Sequence, residues 1–500
     1  MLVIAAQVLA WMEAGLPANH LTCRFAPRPG VGIVHLGLGA FYRAFGAIYV
    51  AEAMAARGGD WGIVGVSLKS PGTRDALAAQ GWAYTSVTLS PQGEEAKVIE
   101  VLQDVLVAPE SPAAVVAAMA DPGVKIVSLT VTEKGYCHNP ATGALNQDHP
   151  DILHDLENQL PVSAVGFLVR GLAARRAAGL DPFTVLTCDN LPENGTLLRG
   201  IVLELARLID PDLADWIAEK GRFPATMVDR ITPATTDADI ARVAEMTGRR
   251  DAAPVLHEPF RQWVIEDSFV NNDRPDFAAV GVQLVADVTA FEHMKLRMLN
   301  GTHSSLAYLG YLAGYETIAD TMANPAFASF VERLWSEIMP AVATPPGTSL
   351  PDYARALKQR YANSAIRHRT WQIAMDGSQK LPQRLLGTLE ANLQAGRPSP
   401  CLCLALAAWM RYVGGVDEAG QPIDVKDPLA SRLRALSDAA GTPADKVTAL
   451  LTVTEVFPPA LAAQLHALVT AAAEQLWAIG AQASVETLGL GPAGLGPAKP

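Results

Sequence analysis

Gly32-Ile33-Val34-His35-Leu36-Gly37-Leu38-Gly39-Ala40-Phe41-Tyr42-Arg43 runs from a β-branched, apolar stretch through two glycines into a segment of helical spacing. The first five residues read as a strand buried on both faces, because the apolar residues are nearly continuous instead of alternating with polar ones. A helix is expected over about 43–57. Gly37 permits a tight turn, and Gly39 lets a pyrophosphate approach the backbone. Behind them the helix start offers N–H groups and the positive end of its dipole. Ala40 and Phe41 complete the turn, and Arg43 adds a cation toward a phosphate. The third glycine of the usual dinucleotide fingerprint is absent, since Tyr42 stands there. Many strand–helix joints carry Gly-x-Gly for steric reasons alone. Its place as the first turn of a strand–helix–strand unit is what points to a dinucleotide.

Working outward, Gly62–Leu68, Lys125–Val131 and Phe183–Cys188 read as further buried strands, with helices at Thr73–Gln80 and Ser163–Ala178. Strands separated by helices require crossover connections, hence a mostly parallel, doubly wound α/β sheet. The second strand ends Ser67-Leu68-Lys69-Ser70, without the acid that commonly holds the ribose hydroxyls of NAD. Lys69 and Arg74 instead offer cations for a 2′-phosphate, so these residues leave NAD and NADP open. From Phe291 onward apolar residues recur at three and four. Similar spacing over 326–339, 351–361, 382–395, 401–413, 428–440 and 459–481 predicts an all-α domain. The expected division is 1–285 for the cofactor domain and 286–488 for the helical one. The Gly/Pro-rich tail 489–500 is expected to be mobile, and Met1–Met12 to form an amphipathic helix in place of a signal peptide.

Composition excludes several classes. The chain has 500 residues, 51 acids against 39 Lys+Arg, and a net charge of −12. A nucleic-acid partner wants the opposite balance. The longest apolar run, Leu402–Met410, is about half of the roughly 18 residues a membrane span needs. The five cysteines are scattered with no CxxC pair, and no HExxH occurs among the ten histidines. A metal-free protein of the reducing cytoplasm is expected.

The densest polar cluster in an apolar setting is Glu292-His293-Met294-Lys295-Leu296-Arg297-Met298-Leu299-Asn300-Gly301-Thr302-His303. On an α-helix Asn300 and His303 lie about 140° and about 80° round from Lys295 and share one broad face. Lysine, amide and imidazole suit oxidation of a secondary alcohol. A partly desolvated lysine takes the hydroxyl proton, an amide donates to the developing alkoxide, and histidine orients a neighbouring hydroxyl. The competing explanation is an amphipathic helix with a snorkelling lysine and a core histidine.

Lys295-x-x-x-x-Asn300-x-x-His303 and Gly37-x-Gly39-x-Phe41-x-Arg43 together resemble the polyol-specific long-chain dehydrogenase/reductase, or mannitol dehydrogenase, family. Ser128–Cys137, Cys188-Asp189-Asn190, Phe223–Ile231, Glu258–Val264 and Asp376–Pro382 extend the likeness in order along nearly the whole chain. In motif detail it is nearest to the fructuronate reductases (D-mannonate oxidoreductases). The resemblance implies a zinc-independent, NAD-linked dehydrogenase with a Rossmann-type N-terminal domain, an all-α C-terminal domain and an active site in the cleft between them. It makes Lys295 the general acid/base, Asn190 and Asn300 an oxyanion hole, His303 a substrate-positioning group and Glu292 a proton relay. Lys380 falls in a substrate-binding motif and Asp229 near cofactor and substrate. Thr130 and Glu133 fall in the cofactor-binding part. Family precedent permits a monomer or weak oligomer.

Charge separates the two substrate classes within that family. A sugar acid carries a carboxylate that needs cations, and a polyol does not. Lys134 and Arg297, with Arg367, Arg369 and Arg384 around Asp376–Lys380, favour the mannonate/fructuronate pair over neutral polyols. Gln372 stands where the mannitol enzymes have a substrate-binding arginine.

Overall fold

The computed structural model describes residues 20–23, 27–140 and 142–489. The helix expected over 1–12 and, of the tail expected over 489–500, all but Gly489 lie outside the described residues; Gly489 ends the helix Pro459–Gly489. The chain divides into two units, Met1–Thr289 and Ala290–Pro500.

In the first unit the strands are β1 (Val31–Leu36), β2 (Gly62–Ser67), β3 (Tyr84–Ser90), β4 (Gly93–Ile99), β5 (Leu102–Val107), β6 (Ile126–Leu129), β7 (Thr184–Thr187), β8 (Thr226–Asp229), β9 (Val255–His257), β10 (Gln262–Glu266) and β11 (Gln283–Val285). The main sheet runs β5-β2-β1-β6-β7, and every pair in it is parallel. Strand order reverses at β1, which places a crevice at its carboxyl end. Successive side chains of β1 go to opposite faces. Val34 and Leu36 join a core with Phe167, Leu168 and Val185, whereas Ile33 joins one with Tyr42, Phe45 and Trp263. Both faces are covered, and this is why the strand reads as a continuous apolar run.

Three local expectations change. The helix expected over 43–57 is two helices, Ala40–Ala44 and Gly46–Arg57, broken at Phe45, whose φ and ψ are −130° and −86°. Phe45 packs on Phe41, Tyr49 and Trp263. A Cβ at Gly46 would collide with the Tyr42 ring, so a side chain there could not accommodate the break. The strand expected over 125–131 stops at Leu129, because the Asp189 carboxylate takes over the N–H groups of Val131 and Thr132. Two three-stranded sheets also form, β4-β3-β9 and β11-β10-β8; β3 and β4 are a hairpin, but β9 joins β3 from far along the chain, a pairing with no local signal.

The second unit is helical. Pro400–Tyr412 is buried on nearly every side and packs on Gly301–Leu312 and Pro459–Gly489. The longest apolar run of the chain is therefore the central helix of a core, as expected of a helix that is hydrophobic all round. Among the described residues no helix is long and apolar enough to cross a membrane.

Candidate active site

The glycine turn closes the carboxyl end of β1. Gly37 has φ +87°, and a Cβ there would run into the Thr130 carbonyl oxygen. A Cβ at Gly39 would meet only the Gly37 oxygen, at 3.8 Å, so the backbone there is open to approach. The N–H groups of Gly37 and Leu38 donate to Val66 O at 2.9 and 3.2 Å. Thr130 Oγ1 donates to Gly37 O at 2.9 Å and lies 3.0 Å from His35 Nε2. The threonine proton being used, His35 donates from Nε2, and its Nδ1 accepts from Ser128 Oγ at 2.8 Å. The ring stacks on Tyr42 at 3.3 Å. Burial holds the His35 pKa well below the usual histidine value, so it remains a neutral brace under the turn. Its only sequence signal was one polar residue inside an apolar strand.

At the same edge of the sheet, Asp189 follows β7. Its buried carboxylate accepts from Val131 N at 3.0 Å, Thr132 N at 2.9 Å and Tyr136 Oη at 3.0 Å. Burial raises its pKa, while those two N–H groups and the phenol lower it. This aspartate, which the sequence reading gave no role, sets the course of the chain through Glu133 and Lys134. Both are exposed on the turn Glu133–Tyr136. Asn190 is exposed beside Asp189. Asp229 is buried at the end of β8. Ala40 and Phe41 are half-buried at the turn, and Lys69 is exposed after β2.

Two expected cations have other partners. Arg43 is buried, donates to Ala253 O at 2.5 Å and lies over the Tyr84 ring, which gives it a structural task in place of a phosphate contact. Arg74 is held by Asp75 at 2.6 Å and Glu110 at 2.8 Å, which opposes its use for a 2′-phosphate.

In the helical unit, Thr289–Met294 passes into a π-helical segment, Lys295–Asn300, before the α-helix Gly301–Leu312. The α-helical spacing assumed from sequence is thus corrected. Hydrogen bonding from i to i+5 widens the turn and brings Lys295 and Asn300 nearly over one another. Lys295 is buried, Asn300 and Glu292 half-buried. A second π-helical segment, Pro382–Leu386, packs against the first; a Cβ at Gly301 would stand 2.7 Å from Arg384 O. Insertions of this kind favour functional sites.

His303 lies buried one turn further on, 4.7 Å from the Tyr361 ring and 5.1 Å from the His368 ring. Burial, then His368, Arg360 and Arg384, hold its pKa well below the usual value. His368 is brought down to about 4 by burial, then by Lys380, Arg360 and Arg384. Arg384 Nη1 donates to Ser304 Oγ at 3.2 Å, and Lys380 Nζ to Met375 O at 2.6 Å. Arg360 and His368 went unremarked in the sequence. By contrast, Arg297 turns away to Ala341 O at 2.5 Å, and Arg367 and Arg369 both pair with Glu316 at the surface. Gln372 is exposed. Those three arginines looked alike with Arg384 in sequence because partners such as Glu316 are not adjacent to them.

Among the described residues, Cys137, His149 and Asp151 bring potential metal ligands within 4.8 Å of one another. His149 Nδ1 accepts from Asp151 N, so that imidazole serves as a helix cap.

Comparison with known proteins places this geometry. Residues 31–279 match the mannitol dehydrogenase Rossmann domain and residues 287–479 the mannitol dehydrogenase C-terminal domain. D-mannonate oxidoreductase of Escherichia coli (strain K12) is 48% identical over 466 residues, covering 91% of this chain and 95% of that protein. Mannitol 2-dehydrogenase of Aspergillus fumigatus is 43% identical over 420 residues, covering 82% and 84%. The solved structure of Pseudomonas fluorescens mannitol 2-dehydrogenase, a ternary complex with NAD and D-mannitol, is 37% identical. It covers 96% of this chain and 98% of that one, with a TM-score of 0.83. With both domain patterns matched in order across most of its length, the chain belongs to the mannitol dehydrogenase family.

Proposed function

We propose that the protein is an NAD(H)-dependent oxidoreductase that interconverts a secondary alcohol and a ketone on an open-chain sugar acid of the D-mannonate/D-fructuronate type. The observation that carries this reading is the π turn holding Lys295 and Asn300 together, with His303 one turn beyond. The open backbone at Gly39 and the tight turn at Gly37 suit a pyrophosphate, and Thr130 braces that turn. Bound there, NAD would accept the hydride in oxidation and return it, as NADH, in reduction.

Oxidation removes a hydride from the carbinol carbon and a proton from its hydroxyl. Lys295 takes that proton as the neutral amine and returns it in the reverse direction. Asn300, with Asn190, donates amide N–H groups to the oxygen as negative charge develops. His303 accepts or donates at a neighbouring hydroxyl in its neutral form, and Glu292, three residues before Lys295, passes the proton toward water. Asp229, Lys134 and Lys380 are assigned to substrate contacts, and Glu133 to the cofactor side. No resident metal is needed in this scheme. We further place the enzyme in the cytoplasm as a monomer or weak oligomer, with no nucleic-acid or membrane partner.

D-mannonate oxidoreductase as a relative supports the sugar-acid reading, and the mannitol complex keeps D-mannitol/D-fructose as the alternative. The test is a panel of fructuronate, tagaturonate, fructose and xylulose with NADH and NADPH. Fructuronate with NADH should be fastest. A fructose rate above fructuronate by orders of magnitude transfers the assignment to the neutral polyols.

A further inference from the structure

Nothing in the π-helical segment's own sequence favours its wide turn. Lys295-Leu296-Arg297-Met298-Leu299-Asn300 holds neither glycine nor proline, and Lys, Leu, Arg and Met are among the best α-helix formers. The π form is intrinsically rare, so packing from outside the helix has to hold it. Two aromatic side chains from two other helices supply such contacts. Tyr361 ends the helix Leu350–Tyr361 and is buried. Its Oη donates to Leu299 O at 2.9 Å, the carbonyl immediately before Asn300. Its ring meets His303 edge-on, at 4.7 Å between centroids and 60° between planes. Trp335, on Pro325–Ile338, lies 6.3 Å from the Tyr361 ring with the planes 25° apart, and its Nε1 donates to Thr302 Oγ1 at 2.9 Å. Leu299, Thr302 and His303 are thus each tied to one aromatic pair.

We propose that Tyr361 is a positioning residue for the reaction: its hydroxyl holds the end of the π segment so that Asn300 stays over Lys295, and its ring fixes the plane of His303. The inference rests on the reading of Lys295, Asn300 and His303 given above. A segment that relaxes to α-helical spacing carries Asn300 to about 140° round from Lys295, and the amide and the amine then no longer meet at one oxygen. A buried phenol seeks a hydrogen-bond partner, and here that partner is the main chain of the π segment itself. Phenylalanine at 361 keeps the ring beside His303 and Trp335 but makes no bond to Leu299 O, so it separates the two tasks.

The test compares the wild type with Tyr361→Phe, Tyr361→Leu and Lys295→Ala, using NADH and whichever of D-fructuronate and D-fructose the wild type reduces faster. Sites are counted by fluorescence titration with NADH, and melts confirm that the assay temperature lies below unfolding. A displacement of about 1 Å at a reacting group can cost about 10²-fold, so Tyr361→Phe should lower kcat per site about 10-fold with the Kd for NADH unchanged. Tyr361→Leu should lower it further and also raise the KM for the ketone, because His303 loses its edge contact. A purely structural role would lower the melting temperature and leave kcat per site as it was. A Tyr361→Phe enzyme within about threefold of the wild type in kcat per site, beside an inactive Lys295→Ala, overturns the positioning role and leaves the lysine assignment standing. Near-normal turnover by Lys295→Ala overturns the Lys–Asn–His reading and this role with it.

Discussion

Lys295 and Asn300 are the first and last residues of one π-helical segment, so amine and amide leave the helix on nearly the same side. An α-helix would separate them by about 140°. The widened turn thus brings the proposed base and the proposed oxyanion donor to one reacting oxygen. Lys295→Ala should lower kcat by about 10²–10⁴-fold, the usual worth of general acid–base catalysis. Asn300→Ala should cost about 10²–10³-fold as a lost oxyanion donor. NADH binding, followed by fluorescence, should survive both changes. Near-normal turnover by Lys295→Ala at neutral pH would sink the lysine assignment.

Gly301 keeps the two π-helical segments in contact, with room for no Cβ before the Arg384 carbonyl. Gly301→Ala should therefore push Pro382–Leu386 away, lower stability by about 1–3 kcal/mol as overpacking does, and reduce turnover beyond what the stability loss explains. Thermal melts and steady-state kinetics on the same preparation check both. An active, fully stable Gly301→Ala would show that the contact has slack.

The two turn glycines should behave differently. Gly37 combines φ +87° with a collision at Thr130 O, so Gly37→Ala should destabilise the N-terminal unit itself. Gly39→Ala meets no such obstacle within the protein, and its melting temperature should stay close to wild type. If the pyrophosphate lies against residue 39, the new methyl group should raise the Kd for NADH at least tenfold; unchanged affinity would place the phosphates elsewhere.

Asp189 satisfies two backbone N–H groups and a phenol from inside the fold. Asp189→Asn replaces one accepting oxygen by an amide donor. It should cost about 1–3 kcal/mol for the donor left unpaired and raise the KM for the cofactor as the 131–136 turn loosens. Urea titration and cofactor kinetics should move together.

His257 gives a pH dependence with a defined sign. It is buried, Nδ1 bonds Glu258 O at 2.9 Å, Nε2 meets Ser86 Oγ at 2.6 Å, and its pKa falls to about 4, through burial first and then Arg230. Between that value and the ordinary 6.5 the unfolded chain binds a proton that the native protein refuses. Stability is therefore full above about pH 6.5 and falls as the pH drops toward 4. His303, His368 and His35 act in the same direction. His257→Asn should make the melting temperature less sensitive to pH across that window, even if it lowers the melting temperature at pH 8. An unaltered slope would assign the acid sensitivity to the other histidines.

Much of this architecture was legible along the chain because its determinants are local. Ile33-Val34 and Ile126-Val127 announce strands covered on both faces, and the turn needs glycine at 37 wherever the rest of the protein lies. The helices of the second unit follow from apolar spacing. The Phe45 break was hidden because it answers to Trp263, over two hundred residues away. β3 and β9 were hidden for the same reason, since they pair residues 84–90 with 255–257.

The candidate site divides along the same line. Residue types and order alone determined a dinucleotide turn, a Lys–Asn–His set and membership of a family, since chemistry needs those groups in any fold. Tertiary structure decided what each charge meets. Arg43, Arg74, Arg297 and Arg367 each meet a carbonyl or a carboxylate, and Arg384 donates to Ser304 Oγ. It also decided the π turn, which helical spacing in the sequence does not reveal. A guanidinium's role depends on the partner that reaches it first, and that partner is chosen by the packing of segments remote in sequence.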